Sequence, residues 1–141
     1  MSIVYNDKKN DLPSEQLCRL FISAGWSDGK ENPEMLQQFN TPFINSTFVI
    51  SAWDEERLVG AVRVLSDQVI RSVIYDLVVL PEYQNKGIGR ELIRRCVEHN
   101  PDSEWLIQTT ADIADYYVKL GFNINRDVFL TIPSIYTGKS N

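Results

Sequence analysis

The stretch from 75 to 90, Tyr-Asp-Leu-Val-Val-Leu-Pro-Glu-Tyr-Gln-Asn-Lys-Gly-Ile-Gly-Arg, constrains this chain more than any other. An apolar, β-branched run beginning at Val73 is stopped by Pro81, crosses a short polar loop holding Gly87 and Gly89, and enters a helical pattern without interruption. Strand, glycine-bearing loop and helix in that order make an anion site. The glycines let backbone approach a ligand closely, and a helix start offers unpaired N–H groups and a positive dipole end. Lys86 and Arg90 add charge beside it. Spacing narrows the choice of anion. A dinucleotide fingerprint would place a third glycine at 92, where Leu92 stands, and the Gly-Lys-Ser/Thr of a triphosphate loop is absent. A strand-to-helix turn without any ligand is the bland alternative.

At 141 residues the chain fits one domain, 1–141, and is too short for two. Apolar content of 43% and charged content of 23% are ordinary globular values and exclude wholesale disorder. A net charge of −5 argues against nucleic acid or an acidic membrane as partner and leans towards a cationic small substrate. No apolar run reaches membrane-spanning length, and the N-terminus lacks the regions of a signal peptide, so a cytoplasmic protein is expected. Cys18 and Cys96 fall on core-facing positions of predicted helices and read as free buried thiols. No Cys/His cluster suggests a metal.

Taken in order, Ile3 to Tyr5 read as a first strand, and Pro13-Ser14 opens a helix carrying Leu17, Leu20, Phe21 and Ala24 on one face until Gly25. Pro33 starts a second helix, and the stretch 40–46 reads as a connection. Strands are expected over 47–53, 57–66 and 69–80, joined by tight turns into an antiparallel meander that leads into the central loop. The helix beginning near Gly87 is amphipathic, with Ile88, Leu92, Ile93, Cys96 and Val97 on one stripe. His99, the single histidine, reads as structural at that helix's end. A strand over 105–110, parallel to the one before the loop, a helix over 111–120, closing strands over 123–125 and 128–132 and a polar tail over 137–141 complete the expectation.

Gln84-x-x-Gly87-x-Gly89, preceded by Leu77-x-Val79-x-Pro81, resembles the acetyl-coenzyme A signature of the GCN5-related N-acetyltransferase (GNAT) family. The run 116–122 is similar to that family's second diagnostic stretch, a tyrosine four residues before a helix-ending Gly-Phe, and only Tyr117 has the spacing. The resemblance implies an α/β fold with a mixed, mostly antiparallel sheet of about seven strands and about four helices, splayed at the cofactor site by a bulge. It implies acetyl-CoA as co-substrate and no metal. The backbone of Gln84, Asn85, Lys86, Gly87, Ile88, Gly89 and Arg90 would hold the pyrophosphate, and the main chain of Leu77, Val78 and Val79 would pair with the pantetheine arm. The Val79 amide would face the thioester oxygen.

Tyr117 is the expected general acid, its phenol lying close enough to a thiol in acidity to protonate a leaving thiolate. Asp76, an acid interrupting an apolar strand, is the first choice for general base, with a structural carboxylate held by an arginine such as Arg63 as the alternative. Trp26, Phe39 and Phe43 are candidate acceptor-pocket walls or ordinary packing. The phrasing around 75–84 and Ala24-Gly25-Trp26 is similar to small bacterial and plastid members grouped with arylalkylamine-type enzymes. The implied reaction is direct acetylation of a small primary amine. Acetylation of protein lysines or N-termini, and a non-catalytic coenzyme A sensor, are the rivals. The family resemblance also raises a homodimer.

Overall fold

A computed structural model describes residues 2–135. The chain divides into two compact units, Met1–Gln108 and Thr109–Asn141. The first unit holds strands β1 (Ile3–Asn6), β2 (Phe48–Asp54), β3 (Arg57–Ser66), β4 (Arg71–Val79) and β5 (Glu104–Ile107), lying side by side in chain order. β1 to β4 pair antiparallel, and β5 joins β4 in parallel. A parallel neighbour requires a crossover, which the long helix between β4 and β5 provides.

Local chemistry sets the turns. Asp67 accepts hydrogen bonds from the N–H groups of Val69, Ile70 and Arg71 at 2.8, 2.7 and 3.1 Å. Those three bonds hold its carboxyl below the usual range. They also consume the amides of Val69 and Ile70, so β4 starts at Arg71 and not at 69. Helix α1 (Ser14–Ser23) buries Leu17 and Leu20 and ends in a Schellman turn: Trp26 N–H donates to Phe21 O at 2.9 Å and Gly25, at φ 78°, donates to Ile22 O at 3.0 Å. Helix α2 (Pro33–Gln37) is capped by Asn32, whose side chain accepts from the Met35 N–H at 2.9 Å. One helical turn, α3 (Thr41–Ile44), forms where the sequence suggested only a connection.

Helix α4 (Ile88–His99) turns Ile88, Leu92, Ile93 and Cys96 inward. It lies tight on the sheet at Gly60, where an added Cβ would stand 3.4 Å from Ile88 Cγ2 and from Leu92 Cδ1. At the end of that helix the His99 ring is stacked 4.1 Å from that of Phe48, with Nε2 3.4 Å from Asp7 Oδ2. Both thiols are free; Cys96 is buried and Cys18 only half-buried.

The second unit contains α5 (Ala114–Lys119). Five strands form among the described residues, not about seven, because 123–125 and 128–132 carry no strand. Alternating apolar residues mark a surface fit for burial, but a strand also needs a neighbour for its backbone. Val128, Leu130 and Ile132 are 84%, 88% and 97% exposed, so that stretch has found none. The tail expected over 137–141 lies outside the described residues.

Candidate active site

β4 is bent where the sequence placed its one acid. Arg63 pairs with Tyr75 and Ala61 with Val78, so Val62 alone stands opposite Asp76 and Leu77. That is a β-bulge, and Asp76 adopts φ 54°, a left-handed conformation that Asp tolerates better than most side chains. The Arg63 guanidinium fixes it, Nε donating to Asp76 Oδ2 at 2.6 Å while lying 5.2 Å over the Tyr75 ring. Pairing with β5 ends at Ile74 and Ile107, so beyond the bulge the outer edge of β4 has no strand beside it among the described residues.

The direction of the main chain along this edge follows from the pairing. Leu80 N–H donates inward to Val59 O at 2.9 Å. Antiparallel alternation therefore points Val78 towards β3 and turns the N–H and C=O of Leu77 and Val79 outward. The Val79 carbonyl already accepts a hydrogen bond from the Gln84 side-chain amide at 2.9 Å. Its N–H faces the open edge.

A 3-10 turn, Pro81–Tyr83, leads into the loop. Gln84 departs from the expectation for its neighbours: its N–H closes this turn on Pro81 O at 3.2 Å and is not offered to a ligand. The N–H groups of residues 85–90 have no acceptor among the described residues, and the helical ladder begins only with Glu91 N–H donating to Gly87 O at 3.0 Å. No side chain caps α4, since the N-cap is Gly87 at φ 84°. With Asn85 at φ 63° as well, successive amides are gathered at the start of a three-turn helix, an arrangement that receives anions. Lys86 and Arg90 are exposed and form no ion pair among the described residues, whereas Arg94 and Arg95 are committed to Glu91.

Within the second unit, Tyr117 sits on α5 with its ring 5.1 Å from Tyr116 and 6.0 Å from Phe122. Phe122 N–H donates to Tyr117 O at 3.1 Å across Gly121, whose φ of 107° turns the chain back. Burial, with a smaller contribution from Tyr116, pushes the Tyr117 hydroxyl above its ordinary value. It stays protonated throughout the neutral range.

The three aromatic candidates separate by burial. Phe43 is fully buried and Phe39 nearly so, both packed on Phe21 at ring distances of 6.1 and 5.4 Å. Trp26, 5.8 Å from Phe21, keeps half its surface in solvent. The sequence reading did not single out Gly60 as a support of the loop, although a glycine within an alternating apolar strand is a mark of close approach.

A mixed sheet with a strand edge running into a helix start of unpaired amides defines an α/β domain with an anion site at that edge. Residues 45–124 match the model of the acetyltransferase (GNAT) domain. The chain is 30% identical over 124 residues to an uncharacterized N-acetyltransferase, ycf52, of Pyropia yezoensis, covering 83% of this chain and 67% of that protein. It is 31% identical over 71 residues to GCN5-related N-acetyltransferase 2, chloroplastic, of Arabidopsis thaliana, covering 48% of this chain and only 28% of that one. A GNAT-family acetyltransferase from Streptococcus pneumoniae shares the fold at a TM-score of 0.75 and 24% identity, over 94% of this chain and 98% of its own. The chain belongs to the GNAT family of acetyltransferases, enzymes that generally take their acyl group from acetyl-CoA. No helix among the described residues is long and apolar enough to cross a membrane.

Proposed function

We propose that this protein acetylates a small primary amine with acetyl-CoA, by direct attack and without an acyl-enzyme. The observation that carries the reading is the continuity of the unpaired edge of β4 with the free amides of residues 85–90. The donor supplies the thioester. The loop amides, helped by Lys86 and Arg90, hold its pyrophosphate, and the outward main chain of Leu77 and Val79 pairs with its pantetheine arm, Val78 being turned to its β3 partner Ala61. Gln84 serves that site by tying the loop to the Val79 carbonyl.

As the amine nitrogen bonds to the thioester carbon, negative charge grows on the oxygen, and the outward Val79 N–H receives it. Removing one such donor costs about 3 kcal/mol. The C–S bond then breaks and the Tyr117 hydroxyl protonates the departing thiolate. Asp76, with Oδ2 held by Arg63, offers Oδ1 to the proton of the attacking amine. The half-exposed Trp26 ring walls the acceptor side, which suits an amine on an apolar body. The net charge of −5 favours a cationic acceptor. Two free thiols fit a cytoplasmic setting. A homodimer paired through the exposed stretch 128–132 completes the proposal, and light scattering reads it.

Calorimetric titration with coenzyme A, followed by a thiol-release screen over amines and lysine peptides, tests the function. Small amines should turn over best, and Tyr117→Phe should lower turnover at least tenfold while coenzyme A still binds. A preference for peptides would overturn the acceptor class, and coenzyme A binding without any turnover would overturn catalysis.

A further inference from the structure

We infer that Asp54 and Tyr83 form a strut from the β2–β3 hairpin that holds the phosphate loop in its binding conformation, and that its loss weakens the grip on the donor's diphosphate alone. The inference rests on the loop reading above and assigns residues outside the loop to that site.

Tyr83 is the last residue of the 3-10 turn and directly precedes Gln84. Its hydroxyl donates to Asp54 Oδ2 at 2.5 Å, and that bond is the main reason the hydroxyl loses its proton less readily than an ordinary phenol. Arg57 braces the same turn twice, with its guanidinium 5.6 Å over the Tyr83 ring and Nη2 donating to Glu82 Oε2 at 2.9 Å. The Arg57–Glu82 pair is half-exposed on both sides and screened by water, so the Asp54–Tyr83 bond is the stronger member.

The far end of the strut is rigid. Asp54 is paired across the sheet to both Ile3 and Arg57. Gln16 of α1 grips the hairpin on either side, donating to Glu56 O at 3.1 Å and accepting from the Leu58 N–H at 2.8 Å. The loop, by contrast, carries two left-handed residues within three positions, Asn85 and Gly87, and leaves its amides unpaired. Little within the loop itself keeps those amides converged, so the population of the competent shape depends on what holds its entrance. Apparent affinity scales with that population.

The test is binding of two probes, coenzyme A by calorimetry and pantetheine, which lacks the diphosphate, by ligand-detected NMR. Asp54→Ala and Tyr83→Phe should each raise the Kd for coenzyme A about tenfold and leave pantetheine within about twofold. Asp54→Asn should restore most of the loss, because its carbonyl still accepts from the phenol. The double variant Asp54→Ala/Tyr83→Phe should be no worse than either single change, as for two ends of one bond. A general loosening of the fold would weaken both probes together, and that result overturns the strut, as does an unchanged coenzyme A affinity in Tyr83→Phe with its thermal midpoint retained. Should the parent protein bind coenzyme A no more tightly than pantetheine, the phosphate-loop reading itself fails, visibly so before any variant is compared.

Discussion

Replacing Asp76 by Asn separates two roles that the geometry gives to one side chain. Asn accepts φ near 54° as readily as Asp, and its carbonyl can still take the Arg63 Nε–H, so the bulge should persist. What is lost is a unit of charge and the capacity to take a proton. Opposite charges about 4 Å apart attract by about 4 kcal/mol at an effective dielectric near 20. The side chains of Arg63 and Asp76 are 18% and 35% exposed, and desolvation and screening reduce the net to about 1 kcal/mol. Stability should therefore fall by about 1 kcal/mol, a few degrees in Tm for a domain of this size. A general base contributes about 10²- to 10⁴-fold, equivalent to about 3 to 5 kcal/mol of barrier, well above that structural cost. Turnover measured by thiol release with saturating amine should fall at least 100-fold near pH 7. Above that pH it should climb about tenfold per unit, as the amine loses its proton to solvent unaided. Coenzyme A affinity should hold. Arg63→Met breaks the pair from the other side and should cost about 1 to 3 kcal/mol in chemical denaturation. Turnover of Asp76→Asn within threefold of the parent, with an unchanged profile, would refute the base assignment and leave Asp76 as the bulge's anchor.

Other expectations follow from particular contacts. The Arg94 and Arg95 guanidiniums hold the Glu91 carboxyl down to about 2, from an ordinary 4.5. Because the folded value is the lower one, this contribution is complete above about pH 4.5 and fades as pH falls towards 2. With both arginines well solvated it amounts to about 1 kcal/mol, and acid unfolding of Glu91→Gln should lack that slope. Gly60→Val should cost about 1 to 3 kcal/mol in chemical denaturation and weaken coenzyme A, since the methyls meet Ile88 and Leu92 at the start of α4. Gly87→Ala has open space around the new methyl, so its cost is the left-handed backbone alone, about 1 to 2 kcal/mol by thermal melting. Burial pushes the Cys96 thiol up to about 12, and a thiol reagent at pH 8 should label it only on unfolding.

The legible parts of the fold were those where side-chain type and backbone demand coincide. Pro81, Gly87 and Gly89 mark where a strand must stop and a helix must start, and β3 and α4 lie where their apolar periods put them. The loop itself was legible in the spacing of its glycines, Gly87 standing at the start of α4. Pairwise features were not. The Asp54–Tyr83 bond joins residues far apart in the chain and depends on how the β2–β3 hairpin meets the 3-10 turn, which no periodicity encodes. The Gln84 N–H looks like any other loop amide until the turn closes on Pro81. The shortfall at the closing strands has the opposite origin: Val128 to Ile132 carry a correct strand pattern, but pattern reports a face and says nothing of an edge partner.

The half of β4 beyond its bulge has no strand paired to its outer border among the described residues, and such borders invite any other extended chain to add itself. A donor lying along that border would act as a chaperone of the fold as well as a reactant, covering groups that otherwise template misassembly. Cells short of acyl donor would then face more aggregated protein as well as less turnover, and coenzyme A should suppress light scattering on heating in proportion to its occupancy.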